Sequence, residues 1–157
     1  MAPLTYPHAG HAALRRGRTQ LAGHAYHVTV GTKSRQPRFA DFESARAACR
    51  AFENPAFLGN ATMLTWVLMP DHTHWLLHLG ERDSLSLVVS RLKSASARCV
   101  NQATGKHGSV WGRSFHDRAI RNEESLRSTA RYLVANPIRA GLATSAGAYP
   151  FWNSVWL

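Results

Sequence analysis

The sequence predicts an α+β fold of the ferredoxin-like type, in which an antiparallel sheet carries helices on one face. The main observation is the order of the candidate elements, which reads strand, helix, strand, strand, helix, strand. A second is the turn Pro70-Asp71, so short that the strands on either side of it must be antiparallel. A third is size, because 157 residues with 45% hydrophobic content suit one domain with its own core.

The N-terminal part of the chain predicts a basic arm followed by one domain. Residues 1–22 are polar and carry the cluster Arg15, Arg16 and Arg18, which is typical of a loosely ordered segment that binds a polyanion. We therefore divide the chain into this arm and a single domain at residues 23–157.

The first half of that domain predicts a strand, a helix and a second strand. Aromatic and β-branched residues over 23–31 predict the first strand, and a polar loop follows at 32–39. Residues 41–52 carry apolar side chains on one helical stripe, with Asp41 as the expected N-cap. Residues 62–69 predict the second strand.

The second half predicts two further strands and two helices. Residues 72–79 predict the third strand, and residues 84–101 a longer helix with an apolar stripe. A fourth strand is expected at 111–118. Asn122 is expected to cap a last helix that ends near Asn136, because the residue before a proline avoids the α region. Aromatic residues of the tail are expected to pack on the body: Tyr149, Phe151, Trp152 and Trp156.

Charge indicates the class of partner. Lys and Arg total 19 against 9 Asp and Glu, giving a formal net charge of +10. Such an excess favours a polyanion, nucleic acid first, over a protein that is merely basic. Cys49 and Cys99 lie far apart, which predicts neither a disulfide framework nor a thiolate zinc site but two reduced, buried thiols. We expect a cytoplasmic, nucleoid-associated protein without a signal peptide or membrane span.

Two histidines on the third strand form a candidate metal site. His72 and His74 are two residues apart, so their side chains point to the same face, where two imidazoles can bind one divalent ion. The alternative is a solvated strand face with no ligand. His78 shares that face as an expected bystander, and His27 and His116 are expected near it.

Tyr132 and Asn136 form the second half of the candidate site. Positions four apart lie one above the other on a helix. Each residue alone has a structural explanation, because a helical tyrosine usually packs in a core and an asparagine before proline can cap a helix. Their joint appearance with paired histidines and a basic surface favours an active site that cuts a DNA strand.

The chain resembles the REP-associated tyrosine transposases, a branch of the single-tyrosine HUH transposases. The resemblance extends over nearly the whole chain and is carried by residues 23–30, 68–74, 111–118 and 132–142. The most specific phrases are Met-Pro-x-His-x-His and Asn-Pro-x-Arg-Ala-Gly-Leu. This chain has Thr73 where the family usually has an aliphatic residue between the histidines, and a β-branched threonine also suits a strand.

The resemblance implies a reaction and the residues that perform it. His72, His74 and Asn136 would bind Mg²⁺ or Mn²⁺, and Tyr132 would attack the phosphorus to form a 5′-phosphotyrosine and a free 3′ hydroxyl. The implied substrate is single-stranded or hairpin DNA of repetitive extragenic palindromes, bound by a monomer or a homodimer. The expected phosphate-binding residues are Arg15, Arg16, Arg18, Lys93, Arg98, Arg113 and Arg139.

Two other functions remain open at the level of sequence. One is a hairpin-binding protein without cleavage activity. The other is a metallohydrolase that uses the histidines to activate water and gives Tyr132 no role.

Overall fold

Five strands form one antiparallel sheet. The computed structural model describes residues 24–157, so the arm predicted at 1–22 lies outside the described residues and stays a prediction. The strands are β1 (Ala25–Gly31), β2 (Thr62–Met69), β3 (His72–His78), β4 (His116–Ile120) and β5 (Trp152–Ser154). Their spatial order is β4-β1-β3-β2-β5, and all neighbouring pairs are antiparallel. The first four strands have the predicted ferredoxin-like arrangement, which is confirmed.

Three longer helices and two single turns connect the strands. They are α1 (Phe42–Phe52), α2 (Pro55–Leu58), α3 (Leu85–Thr104), α4 (Glu123–Val134) and α5 (Asn136–Arg139). Both predicted caps are confirmed. The Asp41 side chain accepts a hydrogen bond from the Ser44 amide at 3.0 Å, and that of Asn122 accepts one from the Ser125 amide at 2.8 Å.

Each face of the sheet has its own hydrophobic cluster. On one face, Tyr26 and Trp75 belong to a cluster shared with α1 and α3, the two helices of the ferredoxin-like layout. On the other face, Leu76 packs in a second cluster with Leu126 and Leu133 of α4. The prediction of helices on one face therefore holds for α1 and α3, whereas α4 covers the opposite face because its own apolar stripe needs a surface to bury.

The face beneath α4 is also the histidine face. Side chains alternate along a strand, so His72 and His74 share a face with Leu76 of the second cluster, and His27 shares it with Ala25. The helix that carries Tyr132 thus lies on the same side of the sheet as the paired histidines.

The fourth strand begins later than predicted. It was expected at 111–118, but β4 starts at His116, and Trp111 makes only an isolated bridge with Thr32. The indole of Trp111 is buried and donates a hydrogen bond to Ser96 of α3 at 2.9 Å. This packing against the helix holds the segment out of the sheet despite its strand-like composition.

The C-terminal tail packs on the body, as predicted. Tyr149 donates its hydroxyl to the Leu68 carbonyl, and the Trp152 indole donates to Ala146 at 2.8 Å. The sequence did not reveal β5, because a three-residue strand is too short to show a period. Cys49 and Cys99 are free thiols, but they are half-buried rather than fully buried. Among residues 24–157, no helix has the length and apolar character needed to cross a membrane.

Candidate active site

His72 and His74 lie side by side near one end of β3. In the register of the sheet, His72 is opposite Gly31 and His74 is opposite Thr29 of β1. Their ring centroids are 4.9 Å apart and the rings are nearly perpendicular. Both residues are half-buried. His78 lies at the other end of the strand, opposite Ala25, as expected of a bystander.

Each of the two imidazoles is held through its Nδ1 atom. His72 Nδ1 donates to Asp71 Oδ1 at 2.7 Å. His74 Nδ1 lies 2.9 Å from Nε2 of His27 and 3.1 Å from the Thr29 hydroxyl. Histidines that bind a metal through one nitrogen commonly have the other nitrogen fixed by a hydrogen bond in this way. The arrangement leaves Nε2 of each ring as the atom that would face a metal.

The local environment keeps His27 and His74 uncharged. Burial is the largest cause that lowers the pKa of His74 to about 3, and the neighbouring His27 and His72 lower it further. Burial likewise lowers the pKa of His27 to about 4, with a contribution from Arg118. Neutral imidazoles have a free nitrogen lone pair at neutral pH, which is the state in which they bind metal ions.

Asp71 remains a carboxylate beside His72. Burial would raise its pKa, but the hydrogen bond from His72 and the charge of Arg35 outweigh that effect, and the net pKa is lowered. Its Oδ2 atom is 3.3 Å from the Arg35 guanidinium. Sequence reasoning did not identify Arg35 or Asp71 as site residues.

Tyr132 is an exposed residue of α4. Its side chain is 61% accessible, so the alternative of a tyrosine packed in the core is wrong. The Arg139 guanidinium carbon lies 3.7 Å from the centroid of the phenol ring, a cation–π contact that holds an otherwise free side chain. Arg139 also lowers the pKa of His74, which places its charge near the histidine pair.

A cleft of about 500 Å³ separates α4 from β1 and β4. Tyr132 lines this cleft together with His27, the ring that contacts His74. The remaining lining residues are all polar: Thr29, His116, Asp117, Arg118, Ser128 and Thr129. The cleft therefore brings the phenol of Tyr132 and the imidazole of His27, which contacts the histidine pair, to one polar volume. His27 and His116 were expected near the histidine face, and both line the cleft. The strand period could also have signalled Thr29, whereas Ser128 and Thr129 gave no signal in the sequence.

Asn136 is not the cap of the tyrosine helix. Helix α4 ends at Val134, Ala135 is its C-cap, and Asn136 opens α5 with a half-buried side chain. Pro137 is accommodated in the first turn of α5, where a missing amide hydrogen costs nothing. Within residues 24–157, no three His, Cys, Asp or Glu side chains form a metal-binding group. A third ligand to the pair would have to be another residue type, and Asn136 stays the prediction.

The predicted phosphate-binding residues divide into three groups. Arg98, Arg113 and Arg139 are exposed. Lys93 is half-buried and donates to the backbone carbonyls of Gly112 and Arg113 at 2.6 and 3.4 Å, so its ammonium group is used to hold the segment that carries Arg113. The third group, Arg15, Arg16 and Arg18, lies outside the described residues.

The threonine between the histidines is accommodated by the sheet. Thr73 is fully buried on the opposite face, and its hydroxyl donates to the Val67 carbonyl at 3.0 Å. A satisfied hydroxyl removes the main cost of burying this group. The departure from the aliphatic pattern therefore leaves the strand register of the histidines intact.

The chain is similar to known transposases in sequence and in fold. A family model described as "Transposase IS200 like" matches residues 20–136. A REP-associated tyrosine transposase of Escherichia coli strain K12 is 28% identical over 88 residues, which cover 55% of this chain and 50% of that protein. The chain thus spans about half the length of the curated relatives it matches. A solved structure of a REP-associated tyrosine transposase bound to a REP hairpin has a similar fold, with a TM-score of 0.66 at 23% identity, over 86% of this chain and 79% of that one.

Proposed function

The chain belongs to the IS200-like transposase family, and from that premise we propose that it is a metal-dependent DNA endonuclease and strand transferase. Its substrate would be single-stranded DNA beside a palindromic hairpin, and the cut end would be held as a 5′-phosphotyrosine on Tyr132. One observation carries the proposal. Tyr132 lines the same cleft as His27, and His27 lies 2.9 Å from His74 of the histidine pair.

The donor set fits a divalent cation such as Mg²⁺ or Mn²⁺. Nε2 of His72 and of His74, with the side-chain oxygen of Asn136, would hold it. The Nδ1 hydrogen bonds of both rings support this assignment, because they orient Nε2. When bound, the cation would polarise the scissile phosphate and stabilise the charge that develops on it.

Tyr132 would supply the nucleophile. Its phenolic oxygen forms a bond to phosphorus as the bond between phosphorus and the 3′ oxygen breaks. The phenol gives up its proton, and the departing 3′ oxygen takes one up. Arg139 would hold the exposed ring in line for the attack through the stacking contact at 3.7 Å. Because the covalent link keeps the energy of the phosphodiester, a later attack by a 3′ hydroxyl rejoins a strand without an external energy source.

Positive charge would hold the DNA around this centre. Arg118 lines the cleft, and Arg98, Arg113 and Arg139 are exposed. Guanidinium groups bind phosphate oxygens in a bidentate fork. The net charge of +10 supports a general affinity for DNA, to which the basic cluster of the arm would add.

Two arguments support a hairpin substrate: the similarity to a hairpin-bound relative, and the access that an unpaired strand gives Tyr132 to the phosphate. The relative of similar fold is described as bound to a REP hairpin. A phosphate in a stacked duplex is hard to align with a tyrosine fixed on a helix, whereas an unpaired strand bends freely. The protein would therefore cut in the single-stranded segment that flanks the hairpin.

The decisive experiment detects the covalent product. The full chain is incubated with Mn²⁺ or Mg²⁺ and a labelled hairpin that carries a single-stranded flank, and the products are separated under denaturing conditions. A parallel sample contains the same sequence as a perfect duplex at equal ionic strength. We expect a protein–DNA adduct with the hairpin and none with the duplex.

Other outcomes select the rival functions. Hairpin binding without any adduct would identify a recognition protein that does not cleave. Cut DNA without an adduct would favour a metallohydrolase in which water is the nucleophile. Equal adduct formation on the perfect duplex would refute the hairpin substrate.

A further inference from the structure

We propose that Arg35 is a positioning residue for His72, acting through Asp71, and that the loop at residues 32–36 is shaped to deliver it. The inference rests on the proposed function, because it takes His72 as a metal ligand.

The side chains form a continuous chain of contacts toward His72. Oδ1 of Asp71 accepts the hydrogen bond from His72 Nδ1 at 2.7 Å. Oδ2 of the same carboxylate lies 3.3 Å from Nη2 of Arg35. One carboxylate thus joins a guanidinium to an imidazole, with one oxygen for each. A carboxylate held on both sides fixes the orientation of the ring and keeps its proton on Nδ1, so that Nε2 presents a lone pair.

The backbone that carries Arg35 is strained. Ser34 and Arg35 have φ values of 57° and 53°, a left-handed region that side chains with a Cβ rarely adopt. Hydrogen bonds hold the turn in this shape, from the Arg35 amide to the Thr32 carbonyl at 3.0 Å and from the Thr32 hydroxyl to the Gln36 carbonyl at 2.7 Å. Two successive strained residues persist only where the surroundings fix them, and such sites cluster at functional centres.

The same loop also fixes the backbone of Asp71. The carbonyl of Asp71 accepts a hydrogen bond from the Thr32 amide at 2.9 Å, and the Thr32 hydroxyl, which donates to Gln36, lies 3.1 Å from the same carbonyl. Both the main chain and the side chain of Asp71 are therefore held by residues 32–36. The turn that immediately precedes His72 is therefore fixed at both its backbone and its side chain.

Gly31 makes room for the guanidinium. It is the last residue of β1 and pairs with His72 in the sheet register. A Cβ at this position would lie 3.1 Å from Cδ and 3.2 Å from Nη1 of Arg35, closer than ordinary contact. The Arg35 side chain thus runs across the backbone directly opposite His72, and a side chain at position 31 would push it aside by a few tenths of an ångström.

The test measures Mn²⁺ affinity of the full chain in the absence of DNA, by calorimetry or electron paramagnetic resonance. The key variant is Arg35→Gly, because glycine suits the positive φ and removes the guanidinium without disturbing the loop backbone. We expect Mn²⁺ binding to weaken by about 10-fold or more, the usual effect of losing a second-sphere partner. Arg46→Ala, which removes an exposed arginine of α1, should leave the affinity unchanged.

A double-variant cycle tests whether Arg35 acts through Asp71. Asp71→Asn alone should also weaken Mn²⁺ binding by about 10-fold or more. The double variant should bind Mn²⁺ with an affinity within about 2-fold of the single variant that loses more. The reason is that both changes break the same chain of contacts. Losses that simply multiply would show that Arg35 acts independently of Asp71 and would overturn the inference.

His72→Ala and hairpin binding separate the possible failures. Unchanged Mn²⁺ affinity in Arg35→Gly, together with a loss in His72→Ala, would overturn this inference and leave the proposed function standing. Unchanged affinity in His72→Ala would remove the metal role of His72, and this inference with it. If Arg35→Gly binds Mn²⁺ as the native protein does but binds the hairpin more weakly in EDTA, Arg35 contacts a phosphate instead, and the inference is overturned.

Discussion

Replacing Tyr132 with phenylalanine should separate chemistry from stability. The side chain is 61% exposed, and its ring rather than its hydroxyl makes the contact with Arg139 at 3.7 Å. Phenylalanine keeps that ring, so the variant loses little packing. We expect the free energy of unfolding to change by less than about 0.5 kcal/mol, as for most surface substitutions. The covalent adduct with DNA should nevertheless disappear entirely, because the attacking oxygen is gone.

Tyr149 provides the matched control. Its half-buried hydroxyl donates to the Leu68 carbonyl, and burial raises the pKa of this phenol to about 12. Tyr149→Phe removes the same atom but leaves a buried carbonyl without this donor, which costs about 1–2 kcal/mol. For a chain of this size, that loss lowers Tm by roughly 2–8 °C. Adduct formation below the transition should persist, because the hydroxyl is engaged in packing the tail.

The assay combines thermal unfolding with a denaturing gel of the labelled hairpin. The two variants should show opposite patterns. Tyr132→Phe should form no adduct but keep the native Tm, whereas Tyr149→Phe should have a lower Tm but still form the adduct. An adduct that survives in Tyr132→Phe would show that another residue is the nucleophile. A Tyr132→Phe protein that unfolds several degrees earlier would contradict the exposed environment of the ring.

Four further outcomes follow from the site. His72→Ala, or EDTA added to the native protein, should abolish cleavage while hairpin affinity falls less than about 3-fold, because phosphate contacts dominate binding; full activity in EDTA would contradict the metal role. His27→Ala should weaken Mn²⁺ affinity by about 10-fold or more, because it removes the nearer of the two groups that hold Nδ1 of His74, and unchanged affinity would show that this contact is incidental. Asn136→Ala should abolish metal-dependent cleavage while Asn136→Asp retains part of it, and equal activity of the two would exclude Asn136 as a ligand. Arg98→Ala should reduce the slope of log affinity against log salt by about 0.7 with single-stranded DNA, and an unchanged slope would remove Arg98 from the DNA path.

Local pattern in the sequence was sufficient for the longer helices, for the first three strands and for the strand face of the paired histidines. The period of two put His72 and His74 on one face of a strand, and the strand bounds Thr62–Met69 agree with the prediction. The caps at Asp41 and Asn122 were also predicted, because capping depends on residues only three apart. Such features are decided by a few neighbouring residues, and their signal is therefore present in a short stretch of chain.

Contacts between distant segments could not be obtained in this way. The contact between His27 and His74 joins residues 47 positions apart. The ion pair of Arg35 with Asp71 depends on a left-handed turn that the amino-acid composition of the loop did not predict. Trp111 packs against α3, and the fourth strand therefore begins later in the chain than predicted. The Lys93 ammonium group donates to a backbone carbonyl of the same segment. Each outcome depends on sheet register and on which surfaces bury one another.

The sequence by itself determined the family resemblance, the candidate residues of the site, and the strand face on which His72 and His74 lie. The tertiary structure decided that α4 covers the histidine face, that a cleft of about 500 Å³ joins Tyr132 to His27, and that each histidine is held at Nδ1. The physical reason is range. Periodicity and capping follow from backbone geometry over a few residues, whereas the partner of a side chain across a sheet is selected by the free energy of packing the whole chain.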